Sequence, residues 1–282
     1  MPSDDFAFLS NLLKRRSGLV LTPDKLYLVE SRLMPIARKE GLADIAALIS
    51  KLRQPGSETL QRAVTDAMTT NESLFFRDKT PFEHFEKVIV PSLLPSRPQK
   101  RLRVWCAAAS TGQEPYSLVL TMAEKAAQFP GLSLDILGTD ICAEVIARAQ
   151  AGIYSQFEVQ RGLPIQMLVK YFTKEGDNWR LKENIRQQVK YKLFNLLESL
   201  SALGQFDVVF CRNVLIYFDR DTKADIITRI AKILPEDGYL ILGAAETVVG
   251  LTVPFQPHPT AKGLYVKAAA AALTPPAKVA AG

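Results

Sequence analysis

The stretch that decides the fold is Arg103–Ser117, RVWCAAASTGQEPYS. An apolar run leads into four small residues and Thr111-Gly112, and an apolar helical pattern follows from Ser117. This order predicts a strand, a tight loop and a helix, with Pro115 in the first helical turn, where a missing N–H is tolerated. Small side chains let a ligand approach the backbone, and in open α/β sheets ligands bind at the carboxyl ends of the strands. Glu114 would repel a pyrophosphate and favours a ligand with hydroxyls or a positive charge; an ordinary turn with a capping acid is the alternative.

Composition narrows the class of protein. The 282 residues are 48% hydrophobic and 23% charged, with a net charge of +6, three cysteines and two histidines. No apolar run approaches the ~18 residues that cross a bilayer, and the first ten residues carry acids where a signal peptide carries bases. We therefore expect a cytoplasmic protein with reduced cysteines and no direct membrane insertion. A histidine-based metal site or catalytic triad is disfavoured, and without an aromatic–basic stripe we expect no nucleic-acid partner.

The first part of the chain predicts an all-helical region. Apolar residues recur at helical spacing from Phe6 to about Met68, Thr22-Pro23-Asp24 is typical of a helix start, and no strand pattern interrupts the region. The expected second helix, 23–40, carries four basic residues off its apolar stripe, Lys25, Arg32, Arg38 and Lys39.

The rest of the chain predicts a doubly wound sheet. After the first strand, Leu132–Leu137 predicts a second strand that ends in Gly138-Thr139-Asp140, where an acid commonly binds a ribose diol. A helix N-cap is a compatible role for Asp140. Further strands are predicted for 206–211, 239–243 and 263–266, with a small antiparallel unit inserted at 157–193. The fold class is thus α/β, a Rossmann-like sheet with a small antiparallel β insertion after a helical N-terminal domain.

Three motifs carry a family resemblance. Thr70–Arg77 (TNESLFFR), Ala107–Ser117 (AAASTGQEPYS) and Phe210–Phe218 (FCRNVLIYF) occur in this order, and together they resemble the CheR family over residues 6–266. That family consists of glutamate O-methyltransferases that use S-adenosylmethionine, release S-adenosylhomocysteine and act on the cytoplasmic domain of methyl-accepting chemotaxis receptors. The helical spacing predicts a domain at 1–68, and the resemblance implies a linker at 69–98 that folds over the cofactor and a methyltransferase domain at 99–267. The alanine- and proline-rich residues 268–282 carry no pattern, which predicts a disordered tail. We expect the chain to be a monomer.

The resemblance also implies site residues. Asn71, Ser73 and Arg77 would cover the methionine end of the cofactor, Glu114 and Asp140 would hold its polar groups, Asn195 and Leu196 would line the adenine, and Arg212 and Asn213 would close the pocket floor. Arg77 and Tyr217 would be catalytic, Arg77 by meeting a carboxylate and Tyr217 by donating its hydroxyl to the acceptor; a core aromatic is the alternative for Tyr217. No metal is implied. A glutamate is already ionised at neutral pH, so the site needs no general base.

The family's insertion holds a β-subdomain that in some members grips the tail of the receptor. Those members carry a longer, glycine-containing loop than Glu175-Gly176-Asp177, which argues against tail binding here. The basic helix face would instead bind an acidic receptor helix, or it is simply a solvated face.

Three other functions remain open on the residues alone. A nicotinamide-dependent dehydrogenase shares the fold, but the loop has one glycine where G-x-G-x-x-G needs three. A methyltransferase of a small molecule would use the helical domain as a lid. A non-catalytic receptor-binding module would have lost cofactor binding.

Overall fold

The N-terminal region is a four-helix unit, as predicted. The computed structural model describes residues 2–268, and its first helices are α1 (Ser3–Ser17), α2 (Leu26–Lys39), α3 (Ile45–Leu52) and α4 (Glu58–Met68). Their apolar stripes close one separate core that contains Leu9, Leu33 and Val64, all without solvent exposure. Asp44 caps α3 by accepting a hydrogen bond of 2.8 Å from the N–H of Ala47.

A helical segment joins this unit to the sheet. It contains α5 (Thr80–His84), a π-helical turn (Phe85–Ile89), α6 (Val90–Leu93) and a 3₁₀ turn (Leu94–Ser96). Helical structure continues past Pro91 and Pro95, because each proline lies in the first turn of a short segment, where a missing N–H is tolerated.

Strands and helices make up the rest of the described chain. The strands are β1 (Arg101–Ala107), β2 (Ser133–Asp140), β3 (Ile153–Ser155), β4 (Phe172–Glu175), β5 (Asn178–Leu181), β6 (Val189–Leu193), β7 (Val208–Cys211), β8 (Tyr239–Leu242), β9 (Phe255–Pro257) and β10 (Leu264–Lys267). The helices are α7 (Gln113–Glu124), α8 (Ala143–Ala151), α9 (Gln156–Gln160), α10 (Ile165–Tyr171), α11 (Glu183–Arg186) and α12 (Arg220–Lys232).

Seven strands form the main sheet in the order β6-β2-β1-β7-β8-β10-β9. The strands from β6 to β8 are parallel, and β10 and β9 are added antiparallel. The strand order therefore changes direction between β1 and β7, and the loops after these two strands open a crevice at the carboxyl edge of the sheet. This topology confirms the predicted fold class and places the conspicuous loop of the sequence at the switch point.

Strand β1 is buried on both faces. Val104 and Cys106 face one core together with α7 and the small sheet, whereas Trp105 and Ala107 face a second core that includes α12. Trp105 is fully buried, and its indole N–H donates to the Thr139 hydroxyl at 2.9 Å. Because both faces of β1 are covered, its sequence is a continuous apolar run and does not alternate between apolar and polar residues.

The insertion differs from its predicted boundaries of 157–193. Strands β3, β5 and β4 form a separate three-stranded antiparallel sheet, so the insertion begins earlier, with Ile153. Strand β6, which was predicted as part of the insertion, pairs parallel with β2 at the edge of the main sheet. Its alternating pattern has a simple cause: Lys190 and Lys192 face solvent on an edge strand while Val189 is buried.

Other predictions concern single features. Cys106, Cys142 and Cys211 are free and buried, as expected. Strand β9 was missed, because a three-residue edge strand that ends in proline carries little pattern. Within residues 2–268, no helix combines the length and the apolar character needed to span a membrane. The predicted disordered tail, 268–282, lies outside the described residues except for its first residue.

Candidate functional site

A cleft lies at the carboxyl ends of β1, β2, β6 and β7, with about 970 Å³ of empty space that includes open solvent. All nine residues predicted to bind a cofactor line it, as does Tyr217. The four predicted docking cations, Lys25, Arg32, Arg38 and Lys39, do not line it. The cleft therefore brings together three sequence motifs that lie up to 140 residues apart, which is the expected consequence of the switch-point topology.

The loop after β1 is held in a strained conformation. Ala108 and Ser110 have φ values of +57° and +51°, and Gly112 has a φ of +93°. Left-handed conformations of residues other than glycine cost free energy and cluster at functional sites. The Ser110 hydroxyl donates to the carbonyl of Asn71 at 2.7 Å, which ties the loop to the linker.

Asp140 ends β2 beneath this loop. One carboxylate oxygen accepts from the N–H of Ser110 at 2.9 Å and the other from the N–H of Cys142 at 3.0 Å. The residue is only 5% exposed, and burial raises the pKa of its carboxyl while these N–H groups oppose the shift. Two lone-pair positions are thus used and others remain for a ligand. The second hydrogen bond fixes the turn before α8, but the N-cap residue of that helix is Cys142, so the predicted N-cap role of Asp140 is wrong.

Arg212 is a buried clamp. Its side chain is 2% exposed and forms ion pairs of 2.7 Å with Glu114 and with Asp78. It also donates to the carbonyl of Arg77 at 2.8 Å. Burial raises the pKa of the Glu114 carboxyl, and the Arg212 guanidinium opposes that shift. The clamp fastens the linker to the sheet at the floor of the cleft, and Asp78 is a member that the sequence did not reveal.

The linker docks through its aromatic residues and lines the cleft with its polar ones. Phe75 is fully buried and packs edge-to-face on Tyr154 at 5.0 Å between ring centroids. A Cβ on Gly162 would lie 2.0 Å from the Phe75 carbonyl oxygen, so the linker backbone depends on glycine there. Arg77 is half-buried in the cleft, with Nη1 donating to the carbonyl of Glu72 at 3.2 Å. The linker therefore docks on the sheet domain through Phe75, while Arg77 lines the cleft, and its role of covering a cofactor stays a prediction.

Asn195 and Tyr217 form another side of the cleft. The Asn195 amide donates to the carbonyl of Arg16 at 2.6 Å, and its oxygen accepts from the N–H of Leu197 at 3.0 Å. Tyr217 is half-buried and packs partly on the second core, so its side chain is both a core aromatic and a lining residue. These bonds connect the site to the helical unit.

Glu246 was missed by the sequence reading. The residue is 8% exposed, and its carboxylate accepts five backbone hydrogen bonds of 2.7–3.3 Å, from Gly243 and from the four successive residues Asn213, Val214, Leu215 and Ile216. It therefore holds the turn that leads to Tyr217. A Cβ on Gly243 would lie 2.7 Å from the Glu246 carboxylate, so the glycine makes this approach possible.

Arg32 differs from the other three basic residues of the second helix. Its guanidinium donates to the carbonyls of Met68 and Thr69 at 2.8 and 2.9 Å and to the Thr70 hydroxyl at 3.1 Å. It satisfies the carbonyls at the end of α4 and holds the start of the linker. We therefore correct its assignment: Arg32 is half-buried and engaged within the chain, whereas Arg38 and Lys39 are exposed.

Comparison with known proteins identifies the family. The description "CheR methyltransferase, SAM binding domain" matches residues 71–264, and "CheR methyltransferase, all-alpha domain" matches residues 4–69. The chain belongs to the CheR family. It is an S-adenosylmethionine-dependent methyltransferase, and the resemblance drawn from the three motifs is confirmed.

Individual relatives cover nearly the whole chain. Chemotaxis protein methyltransferase Cher2 of Pseudomonas putida is 38% identical over 268 residues, covering 94% of this chain and 98% of that protein. Chemotaxis protein methyltransferase 1 of Vibrio cholerae is 40% identical over 247 residues, with coverages of 86% and 89%. Magnesium protoporphyrin IX methyltransferase from Synechocystis, solved with bound S-adenosylmethionine, is 18% identical, with coverages of 68% and 72% and a TM-score of 0.31. A likeness this weak adds nothing to the family assignment.

The cleft fits the cofactor of the family. S-adenosylmethionine has a ribose diol that donates hydrogen bonds, an amino acid end with a carboxylate, and a positively charged sulfur. Asp140 supplies a buried acceptor, Arg77 a cation, and Glu114 a negative charge beside the loop. Leu196 adds apolar surface. Among residues 2–268, no cluster of histidine, cysteine, aspartate and glutamate side chains has the arrangement of a metal site.

Proposed function

We propose that this CheR-family protein methylates glutamate side chains of chemotaxis receptors, forming glutamyl methyl esters at their cytoplasmic domains. The observation that carries the proposal is the meeting of Arg77 and Tyr217 in one cleft with Asp140, Glu114 and Asn195. The relatives are named chemotaxis protein methyltransferases, which supports the receptor as substrate.

The residue roles follow from their chemistry. Asp140 would accept hydrogen bonds from the ribose diol, Asn195 and Leu196 would contact the adenine, and Asn71 and Ser73 would cover the methionine end. Glu114 and Arg212 act as a pair, since their ion pair keeps the floor of the cleft in place under the linker. Asn213 contributes through the turn that Glu246 holds.

When bound, S-adenosylmethionine supplies an electrophilic methyl carbon on a positively charged sulfur. The substrate glutamate needs no general base, because its reference pKa of about 4.3 leaves it ionised at neutral pH. The chain must orient that carboxylate and exclude water. Arg77 would pair with a carboxylate and the Tyr217 hydroxyl would donate a hydrogen bond to the acceptor.

The exposed basic residues beside the second helix are the proposed receptor contact. Lys25 precedes α2, and Arg38 and Lys39 end it, all three exposed. Lys25 pairs with Asp24 at 3.2 Å in solvent, where such pairs contribute little. An acidic, glutamate-bearing receptor helix would be attracted to these charges over a range that salt screens.

Transfer of radiolabelled methyl groups to a purified receptor cytoplasmic fragment tests the proposal. We expect label that mild base releases as methanol, because carboxylate methyl esters hydrolyse while methylated amines do not. A receptor fragment with its candidate glutamates replaced by alanine is the matched control and should stay unlabelled. Base-stable label, or transfer to a small molecule but not to the fragment, would contradict the proposal. Receptor binding without any binding of S-adenosylhomocysteine would indicate a non-catalytic module.

A further inference from the structure

The end of α1 reaches from the helical unit to the cleft. Gly18 follows the helix with a φ of +78°, and its N–H donates to the carbonyl of Lys14 at 2.9 Å. This left-handed cap stops the helix and redirects the chain, as glycine commonly does after a helix. We call residues 16–20 the α1 turn.

The α1 turn is bonded to two predicted site residues. The N–H of Val20 donates to the carbonyl of Tyr217 at 2.9 Å, and the amide of Asn195 donates to the carbonyl of Arg16 at 2.6 Å. Asn195 follows β6 and Tyr217 follows β7, so the turn bridges two separate loops of the sheet domain.

Packing at Gly18 leaves little room for a side chain. A Cβ there would lie 3.0 Å from the Phe218 ring and 3.3 Å from Leu197. On either side of the glycine, Ser17 and Leu19 line the same cleft as Phe218. The turn is therefore part of the wall of the cleft, in addition to being a contact between domains.

We propose that the α1 turn is a cofactor-site element contributed by the helical domain, and that it positions Asn195 and Tyr217. The helical domain then sets cofactor affinity as well as contacting a protein partner. The inference rests on the proposed function to the extent that S-adenosylmethionine occupies this cleft. It goes beyond it by assigning a binding role to a segment outside the sheet domain.

Two glycines of the helical domain provide a matched test. Gly41 also lies after a helix with a positive φ, +70°, but a Cβ there meets nothing within 4 Å. Substitution at either glycine strains the backbone similarly, whereas only Gly18 adds a collision with the sheet domain. The variants are Gly18→Ala and Gly18→Val, compared with Gly41→Ala and Gly41→Val.

Isothermal titration of the full chain with S-adenosylhomocysteine reads out the effect. We expect the dissociation constant to rise roughly threefold or more for Gly18→Ala and roughly tenfold or more for Gly18→Val, the range that overpacking a close contact produces. The Gly41 variants should stay within about twofold of wild type, because their added methyl groups meet no neighbour.

Unchanged affinity in folded Gly18 variants would overturn the inference, and so would equal losses at Gly18 and Gly41. Circular dichroism checks folding, and if Gly18→Val does not fold, Gly18→Ala carries the comparison with Gly41→Ala. A purely structural contact would lower the melting temperature of the Gly18 variants without changing affinity below the transition. Failure of the wild type to bind S-adenosylhomocysteine would instead refute the proposed function, so the two failures are distinguishable.

Discussion

Replacing Glu246 by glutamine changes one atom and removes a negative charge that five backbone N–H groups share. One carboxylate oxygen accepts from Asn213 and Gly243, and the other from Val214, Leu215 and Ile216. In glutamine, an NH₂ group replaces one of these oxygens. Because an amide NH₂ group only donates, it cannot accept hydrogen bonds from the backbone N–H groups that face it. At least two hydrogen bonds are lost in a position that is 8% exposed.

The expected loss of stability follows from this count. A hydrogen bond to a charged group contributes about 1.5–3 kcal/mol, so two of them amount to about 3 kcal/mol or more. For a domain of about 200 residues, each kcal/mol shifts the melting temperature by about 2–4 °C, which gives a drop of about 6–12 °C. The affinity for S-adenosylhomocysteine should fall as well, because Asn213, Val214 and Tyr217 line the cleft on the turn that loosens.

Thermal unfolding by circular dichroism and titration with S-adenosylhomocysteine measure the two effects. Glu236→Gln is the control, because the Glu236 side chain is 90% exposed and pairs with Lys267 in solvent. It should shift the melting temperature by no more than about 1–2 °C. A melting temperature of Glu246→Gln within about 2 °C of wild type would refute the reasoning, since it would mean that the five amides do not depend on the charge.

Tyr217→Phe should lower single-turnover methyl transfer to receptor at least roughly tenfold while the affinity for S-adenosylhomocysteine stays within about twofold, as loss of one hydrogen bond to a carboxylate predicts; an unchanged rate would leave Tyr217 as a core aromatic only. Arg32→Gln should weaken binding of S-adenosylhomocysteine, because Arg32 holds the start of the linker, whereas Arg38→Gln should lower receptor methylation at low salt without affecting that binding; the reverse pattern would contradict both assignments. Asp219→Asn should reduce the fall in the free energy of unfolding that occurs as the pH decreases below about 5. The Lys14 side chain, then the backbone N–H of Thr222, lower the pKa of Asp219 from 3.8, so its contribution is present above that value and lost as the pH falls through the lower folded pKa. Urea unfolding between about pH 5 and pH 2 should show a smaller pH dependence for the variant than for wild type.

Most of the predicted cofactor-binding residues lie at or near the end of a strand, where a local pattern marks them, and these ends line one cleft. An apolar run precedes each of three features: the small residues after β1, Asp140 at the end of β2, and the motif after β7. The switch-point topology brings the carboxyl ends of these strands together. Fold class could be predicted for the same reason, since helices alternating with buried strands allow few topologies.

The missed features depend on contacts between distant residues. Glu246 lies 33 residues from Asn213, and nothing in a short window marks a carboxylate that will accept five amides. Likewise, the basic stripe of the second helix did not separate Arg32, whose partners start 36 residues later, from the exposed Arg38. Strand β6 was assigned to the insertion because an edge strand of a parallel sheet alternates like an antiparallel strand.

The central claim is that the cleft at the switch point holds the S-adenosyl cofactor through Asp140. Titration of three forms of the full chain with S-adenosylhomocysteine tests this claim most directly. The forms are wild type, Asp140→Asn and Asp135→Asn, the last as a control at the opposite end of β2, where Asp135 pairs with Arg101 and Arg103. The account predicts one site per wild-type chain, a dissociation constant at least roughly tenfold higher for Asp140→Asn, and a value within about twofold of wild type for Asp135→Asn. NAD should not bind. Equal affinities of wild type and folded Asp140→Asn, or binding of NAD in place of S-adenosylhomocysteine, would contradict the account.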